Sequence, residues 1–321
     1  MLQQTQVSRV LEKFEPFLER FPTLESLADA DEDEVLAMWS GLGYYRRARS
    51  LHACAREAVS RFGSLPASAS ELETLTGLGR YTAGAVASIV HNEAVPIVDG
   101  NVERVLLRLA GRPLRAGETE TRNWCWARAD ELVRRAHTSR AKGVTPAIFN
   151  EALMELGAIV CTPKSPGCDS CPLRKSCQAN QQGTQDTIPR PKTRSAKKPL
   201  YIASLLVRDS DGLILMEQRP KGGLWGGLWQ VPTLESDTKI SKKAVASHFD
   251  VATTTLFGHT TFTHETTHRS VRVDVYGSSQ LPNENEDQHW VGPGEFDGLA
   301  LGSLQRRVLG SIAAGDSRSM K

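Results

Sequence analysis

Residues 161–177 read CTPKSPGCDSCPLRKSC, which spaces four cysteines as Cys161-x6-Cys168-x2-Cys171-x5-Cys177. The chain of 321 residues has six cysteines, and the other two, Cys54 and Cys125, stand alone. Thiols gathered in one loop suit a metal site in a reducing compartment better than a disulfide framework. Four thiolates this close can hold Zn²⁺ or a [4Fe–4S] cluster, and spacing alone does not choose between them.

The texture differs on the two sides of this loop. Before it, residues 1–160 read as short amphipathic helices joined by Gly, Pro and Ser loops, with runs near Leu24–Trp39, Ala48–Phe62, Ala83–His91, Val102–Leu109 and Trp124–Ala136. After it, residues 178–199 carry no periodicity, and five Lys or Arg without an acid between Thr187 and Lys198 make a flexible basic linker. Beyond Pro199 the runs YIASLLVRD, GLILMEQRP, LWQVPTL, FTHETTHRSVRVDVYG and HWVG read as strands. The expected protein is multidomain: an all-α domain over 1–160, the cysteine loop at 161–177, the linker at 178–199 and an α+β domain over 200–321. Hydrophobic content of 40% and charged content of 24% fit a globular protein. No apolar run reaches the length of a membrane span, and no signal peptide is recognisable. The net charge of +2 is too small to argue for nucleic acid.

Four other stretches carry chemistry. In LTGLGRYTAGAV (75–86), Gly77 and Gly79 precede a helix, allow positive φ and leave N–H groups for an anion such as a DNA phosphate; many helix connections contain such glycines for no further reason. In VPIVDGNVERVLLRL (95–109), Asp99 opens a helix with Val102, Val105, Leu106 and Leu109 on one face. It is a natural cap, or a carboxylate whose charge faces a developing cation, with Asn101 orienting it. In GLGYYRRARSLH (41–52), Tyr44 and Tyr45 adjoin Arg46, Arg47 and Arg49. This suits a wedge in a base stack with arginines on phosphates, or a core tyrosine pair beside a solvated basic helix. Finally, MLQQTQVSRVLEKF (1–14) places Val7, Val10, Leu11 and Phe14 at helical spacing, with Phe17 continuing it. A helix is therefore expected to be running already at Gln3–Gln6, without a capping residue before it.

Taken in order, LQQTQV, GLGYYRRAR, GLGRYTAGA, VDGNVERVL, FNEALMELGAIVC, the six-two-five cysteine spacing, RPKGGLWGGLWQVP and GHTTFTHETTH resemble the adenine DNA glycosylases of the MutY type, within the endonuclease III superfamily. The resemblance covers nearly the whole chain. It implies a helix-hairpin-helix glycosylase domain, a [4Fe–4S] cluster on Cys161, Cys168, Cys171 and Cys177, and a Nudix-like C-terminal domain. It also implies base-excision repair: hydrolysis of the N-glycosidic bond of adenine paired with 8-oxoguanine or guanine in double-stranded DNA. Such chemistry needs a flipped base, an acid for the leaving adenine and an ionised carboxylate for the oxocarbenium-like sugar.

By the same resemblance Asp99 is the catalytic carboxylate and Tyr81 an assisting tyrosine. Related lyases carry a Schiff-base Lys at that position, so a monofunctional glycosylase is expected. Glu151 contacts the flipped adenine, Tyr44 is the wedge beside 8-oxoguanine and Gln4 fills the gap in the stack. Phe262, Thr263 and His264 stand for a Phe-Ser-His loop that reads 8-oxoguanine. Three departures matter. Thr76 stands where the hairpin motif usually has Pro. ISKKAVASHF has lysines where a working Nudix helix has Mg²⁺-binding carboxylates, so DNA binding without nucleotide hydrolysis is expected. The family's proton-donating Glu lies two residues before Met-Leu-Gln-Gln-Thr, upstream of Met1, so excision by this polypeptide is expected to be impaired. The alternatives are a lesion-binding protein without catalysis and an endonuclease III-like glycosylase/lyase. A monomer in a bacterial cytoplasm, associated with the nucleoid and not with a membrane, is expected.

Overall fold

The computed structural model describes residues 1–139, 143–192, 196–282 and 287–313. The chain divides into two compact units, Met1–His52 with Ser195–Lys321, and Ala53–Arg194. The cysteine loop thus groups with the helices that precede it. The helical stretch expected over 1–160 is divided, because residues 1–52 join the sheets of the C-terminal half.

The first unit begins with α1 (Val7–Arg20), α2 (Leu24–Ala28), α3 (Glu32–Met38) and the start of α4 (Arg46–Phe62). The run near Leu24–Trp39 is two helices: Asp29 ends the first and Asp31 precedes the second, whose first turn is Glu32-Asp33-Glu34. Phe17 lies edge-on to Phe21 and Trp39, with ring centroids 5.0 and 6.1 Å apart.

The opening helix starts later than its apolar spacing suggests. Residues 1–6 form a turn, Gln4 has φ +58°, and the helix begins at Val7. Arg47 explains this. Its guanidinium donates to the Met1 carbonyl at 2.7 Å, to the Gln3 carbonyl and to Thr5 Oγ1 at 2.8 Å. These acceptors are thereby drawn away from an i→i+4 ladder.

The second unit continues α4 and adds α5 (Ala69–Leu72), α6 (Arg80–His91), α7 (Gly100–Leu109), α8 (Thr119–Thr138), α9 (Pro146–Glu155) and α10 (Gln178–Gln182). A π-helical turn, Leu156–Val160, follows α9. The core gathers around α7: Val102, Val105, Leu106 and Leu107 meet Cys125 and Ala129 of α8, Leu153 of α9 and Ala179 of α10. Asn150, buried in α9, donates to Ser88 Oγ at 2.6 Å and to the Val95 carbonyl at 2.9 Å, tying α9 to α6 and the strand-like run before α7. Both lone cysteines are buried, and burial, then the Glu103 charge, pushes the Cys125 thiol up to about 12.

Among the described residues, the C-terminal part of the first unit holds two sheets. β1 (Lys198–Leu206), β4 (Thr233–Ser236), β5 (Leu256–Glu265) and β6 (Arg269–Ser278) form one, in the order β4-β1-β6-β5 with β1 and β6 parallel. β2 (Ile214–Gln218), β3 (Trp229–Gln230) and β7 (Gln288–Val291) form the other, in the order β3-β2-β7. The run LWQVPTL is therefore two strands in two sheets, separated at Pro232, which has no N–H for a ladder. Alternation along β1 sends Leu200 and Ile202 into a core with Leu304 and Val308 of α12 (Ser303–Ala313). Ala203 and Leu205 face Val245, Ala246 and Phe249, at α11 (Lys242–His248). Tyr45 donates to the Leu301 carbonyl at 2.7 Å and Arg306 to Ser40 Oγ at 2.8 Å, which holds residues 1–52 to this part. Among the described residues no helix is long and apolar enough to cross a membrane.

Close backbone approach makes one glycine testable. A Cβ on Gly84 of α6 would lie 2.7 Å from the Pro96 carbonyl oxygen. Ala is the better helix former by about 1 kcal/mol, but overpacking against backbone costs about 1–3 kcal/mol. Gly84→Ala is expected to lower the urea midpoint, by a net of roughly 1 kcal/mol, and a raised midpoint would contradict this packing.

Candidate active site and cysteine centre

Asp99 is the N-cap of α7. Its Oδ1 accepts from the N–H of Asn101 at 2.9 Å and of Val102 at 2.8 Å, and its Oδ2 accepts from Asn101 Nδ2 at 3.0 Å. Capping thus fixes the carboxylate, with the Asn101 side-chain amide on its second oxygen. Tyr81, one residue into α6, is half-buried near it; burial and then the Asp99 charge push its phenol up. A phenol raised in this way stays protonated at neutral pH and can donate a hydrogen bond. Glu151 is exposed on α9.

A hydrogen-bond chain runs from this site to the cysteine loop. Asn101 Oδ1 accepts from Arg104 Nη2 at 2.9 Å; the same guanidinium donates to the Gly157 carbonyl at 2.7 Å and to the Cys161 carbonyl at 2.6 Å. Gly157 in the π turn is required for this approach, since a Cβ there would sit 2.8 Å from Asn101 Cβ. One turn further along α7, Arg108 is 2% exposed. It donates to the carbonyls of Ile188 at 2.8 Å, Thr162 at 2.7 Å and Pro163 at 3.3 Å, and to Cys161 Sγ at 3.3 Å. Nothing in the sequence marks Arg104 and Arg108, whose spacing on α7 resembles that of any solvated pair.

Cys161, Cys168, Cys171 and Cys177 are free, half-buried thiols lining one cavity with Arg108, Arg174 and Gln185. Gln185 Oε1 is buried there without a hydrogen-bond partner. Burial, and then the charges of the other three thiols, push Cys168 up. Cys177 Sγ lies 3.4 Å from the Arg108 carbonyl oxygen. Among the described residues no group of three or more His, Cys, Asp or Glu forms a metal-ion site.

The hairpin before α6 keeps half of its expected geometry. Gly77 has φ +80°, whereas Gly79 is extended at φ −85° and ψ 171° and caps α6 without a side chain. Gly79 is therefore not required for backbone freedom; lacking a side chain, it leaves the helix N-terminus open.

In the other unit, Tyr44 and Tyr45 part company. Tyr45 is buried at 7%, while Tyr44 is 50% exposed and held at φ +49°, an unusual conformation for a bulky residue. Arg47 stacks over the Tyr44 ring at 5.5 Å and donates to the Gly43 carbonyl at 3.1 Å. Gln4 is exposed in the opening turn. On β5, Phe262 is buried beneath the Arg307 guanidinium at 4.1 Å, and the Thr263 carbonyl accepts from Arg307 at 3.1 Å. His264 lies edge-on to Trp225 at 6.0 Å, and burial, then Arg307, lowers its pKa. Tyr44 Oη is 3.4 Å from Thr267 Oγ1, in the turn after β5. The one sequence signal for Thr267 is a second Thr-His pair, Thr267-His268, which repeats Thr263-His264.

A family model for the HhH-GPD superfamily of base excision DNA repair proteins matches residues 1–130, and one for the NUDIX domain matches residues 203–311. The chain is 33% identical over 370 residues to the adenine DNA glycosylase of Rattus norvegicus, with 96% of this chain and 69% of the relative covered. It is 31% identical over 366 residues to that of Homo sapiens, covering 96% and 66%. Against that of Buchnera aphidicola subsp. Baizongia pistaciae it is 32% identical over 263 residues, covering 78% and 72%.

Capping separates the two roles of Asp99. Asn caps nearly as well as Asp, whereas Ala costs about 1 kcal/mol. Asp99→Asn should leave the denaturation midpoint nearly unchanged and Asp99→Ala should lower it; equal losses from both would mean that the charge, not the cap, holds α7.

Proposed function

Because the chain belongs to the adenine DNA glycosylases, base-excision repair enzymes joining a helix-hairpin-helix domain to a Nudix-like one, we propose that it acts on adenine opposite 8-oxoguanine or guanine in duplex DNA. The observation that carries this reading is Asp99, its carboxylate held by two helix N–H groups and Asn101, with the Tyr81 hydroxyl nearby. The adenine must leave the stack to be reached, which costs a few kcal/mol of unpairing. As the glycosidic bond breaks, positive charge develops on the sugar, and Asp99 is the group to stabilise it. Tyr81 donates a hydrogen bond and has no amine with which to form an imine. Glu151 is exposed and available to the flipped base.

Recognition of the opposite base is proposed to fall to Tyr44, with Thr263, His264 and the Thr267 hydroxyl near the tyrosine. Gln4 is proposed to fill the vacated stack, and Gly77 and Gly79 to present the α6 N-terminus to a phosphate. The helix α11 carries Lys242 and Lys243 and no carboxylate, so the Nudix-like part offers no oxygen ligands there for Mg²⁺ and serves recognition.

Cys161, Cys168, Cys171 and Cys177 are proposed to hold a [4Fe–4S] cluster. The donor set fits: thiolates suit iron–sulfur ligation, and the Arg108 guanidinium beside Cys161 Sγ provides a countercharge. When bound, the cluster would crosslink the loop and so order Lys164, Arg174 and Lys175 near DNA. Iron analysis of the purified chain is expected to give about four irons per polypeptide with visible absorbance, and stoichiometric zinc without iron would refute the assignment.

Single-turnover assays on a duplex with adenine opposite 8-oxoguanine test the proposed roles of Asp99 and Tyr81. Asp99→Asn is expected to slow excision by about 10²–10³-fold, with no borohydride-trapped adduct. Unchanged excision in Asp99→Asn, or a trapped adduct, would reject the role of Asp99 or the monofunctional reading respectively.

A further inference from the structure

The hairpin 75–79 is built on a type II turn. Leu78 N–H donates to the Leu75 carbonyl at 3.2 Å, Gly77 sits at φ +80°, and Thr76 is outside the positive-φ residues. The position held by Thr76 is the one Pro favours in such turns, because Pro presets φ and has no N–H to satisfy. Thr76 has that N–H, and it donates to Glu57 Oε2 on α4 at 2.8 Å. Glu57 Oε1 accepts from Arg61 Nη1 at 2.5 Å, and Arg61 Nη2 donates to Thr74 Oγ1 at 3.0 Å. An i,i+4 pair on one helix thus grips both Thr74 and Thr76 from 13 to 19 positions away.

We propose that Glu57 is a positioning residue for DNA binding, holding the Thr76–Gly77 turn in the conformation that presents the N-terminus of α6 to a phosphate. This rests on the reading that the hairpin contacts DNA. The Thr76 backbone and Arg61 also hold the Glu57 carboxyl below the usual range, in keeping with a carboxylate engaged on both oxygens. A carboxylate that merely lies near a DNA-binding hairpin repels phosphates, so its removal strengthens binding. A carboxylate that shapes the hairpin has the reverse effect.

The experiment measures affinity of the full chain for a mispaired duplex by fluorescence anisotropy over a range of salt. The proteins are the unaltered chain, Glu57→Ala, Thr76→Pro and the double variant, with urea midpoints recorded for each. Glu57→Ala is expected to bind about 2- to 10-fold more weakly, the range of one net hydrogen bond. Its slope of log affinity against log salt should be unchanged, because the contact weakened is to neutral helix N–H groups and no Lys or Arg is taken from a phosphate. Thr76→Pro, which needs no partner for its nitrogen, should bind like the unaltered chain and restore the double variant. Equal or tighter binding by Glu57→Ala overturns the proposal. So does weaker binding that Thr76→Pro fails to restore, whether or not the urea midpoint falls. Failure of the unaltered chain to bind duplex at low salt would instead refute the DNA-binding reading itself.

Discussion

Two guanidinium groups buried in α7 organise the second unit. Removing a cation from water costs several kcal/mol unless it is fully hydrogen-bonded. Arg104 and Arg108, 7% and 2% exposed, meet that demand largely with backbone carbonyls of the π turn, the cysteine loop and the segment at Ile188. Of these, the Gly157 carbonyl lies in the π turn where helical geometry ends. Each side of the contact therefore removes an unsatisfied polar group from the other. Because α7 begins at Asp99, the same arrangement ties the carboxylate to the thiols: one helix carries the cap, Arg104 and Arg108 in ten residues.

A similar economy governs the other unit. Arg47 gathers the carbonyls of Met1, Gln3, Leu42 and Gly43 while stacking over Trp39 and Tyr44, with only its Nε left buried without a partner. Tyr44 stays exposed in a left-handed conformation because its surroundings determine it. Tyr45, its neighbour, is spent on packing, with its hydroxyl on the Leu301 carbonyl. Adjacent identical residues thus serve opposite ends, which follows from the turn reversing the chain between Gly41 and Gly43, both at positive φ.

Elements set by short-range rules are legible in the sequence. The apolar face of α7 and its Asp99 cap are legible from spacing within one turn. The strands after Pro199 follow from period-two alternation and turn residues. The opening stretch failed for the opposite reason: its spacing is helical, but Arg47, over 40 positions away, takes the carbonyls a first turn would use. Gly79 failed more mildly, since a glycine pair marks a turn without saying which member needs positive φ. Family resemblance, not periodicity, assigned roles to Tyr81, Glu151 and the cysteines.

The sequence by itself determined the local elements, the four-thiol donor set, the lysine-bearing α11 and, through its ordered motifs, membership in the adenine DNA glycosylases. Only the tertiary structure decided where residues 1–52 belong, that both carboxylate oxygens of Asp99 are engaged at the start of α7, and which polar groups are buried. Arg104 reaches Cys161 across 57 positions, and Tyr44 reaches Thr267 across 223. Such contacts leave no periodic trace. A buried arginine and a solvated one obey the same helical spacing, and they differ only in whether another part of the chain arrives to accept their hydrogen bonds.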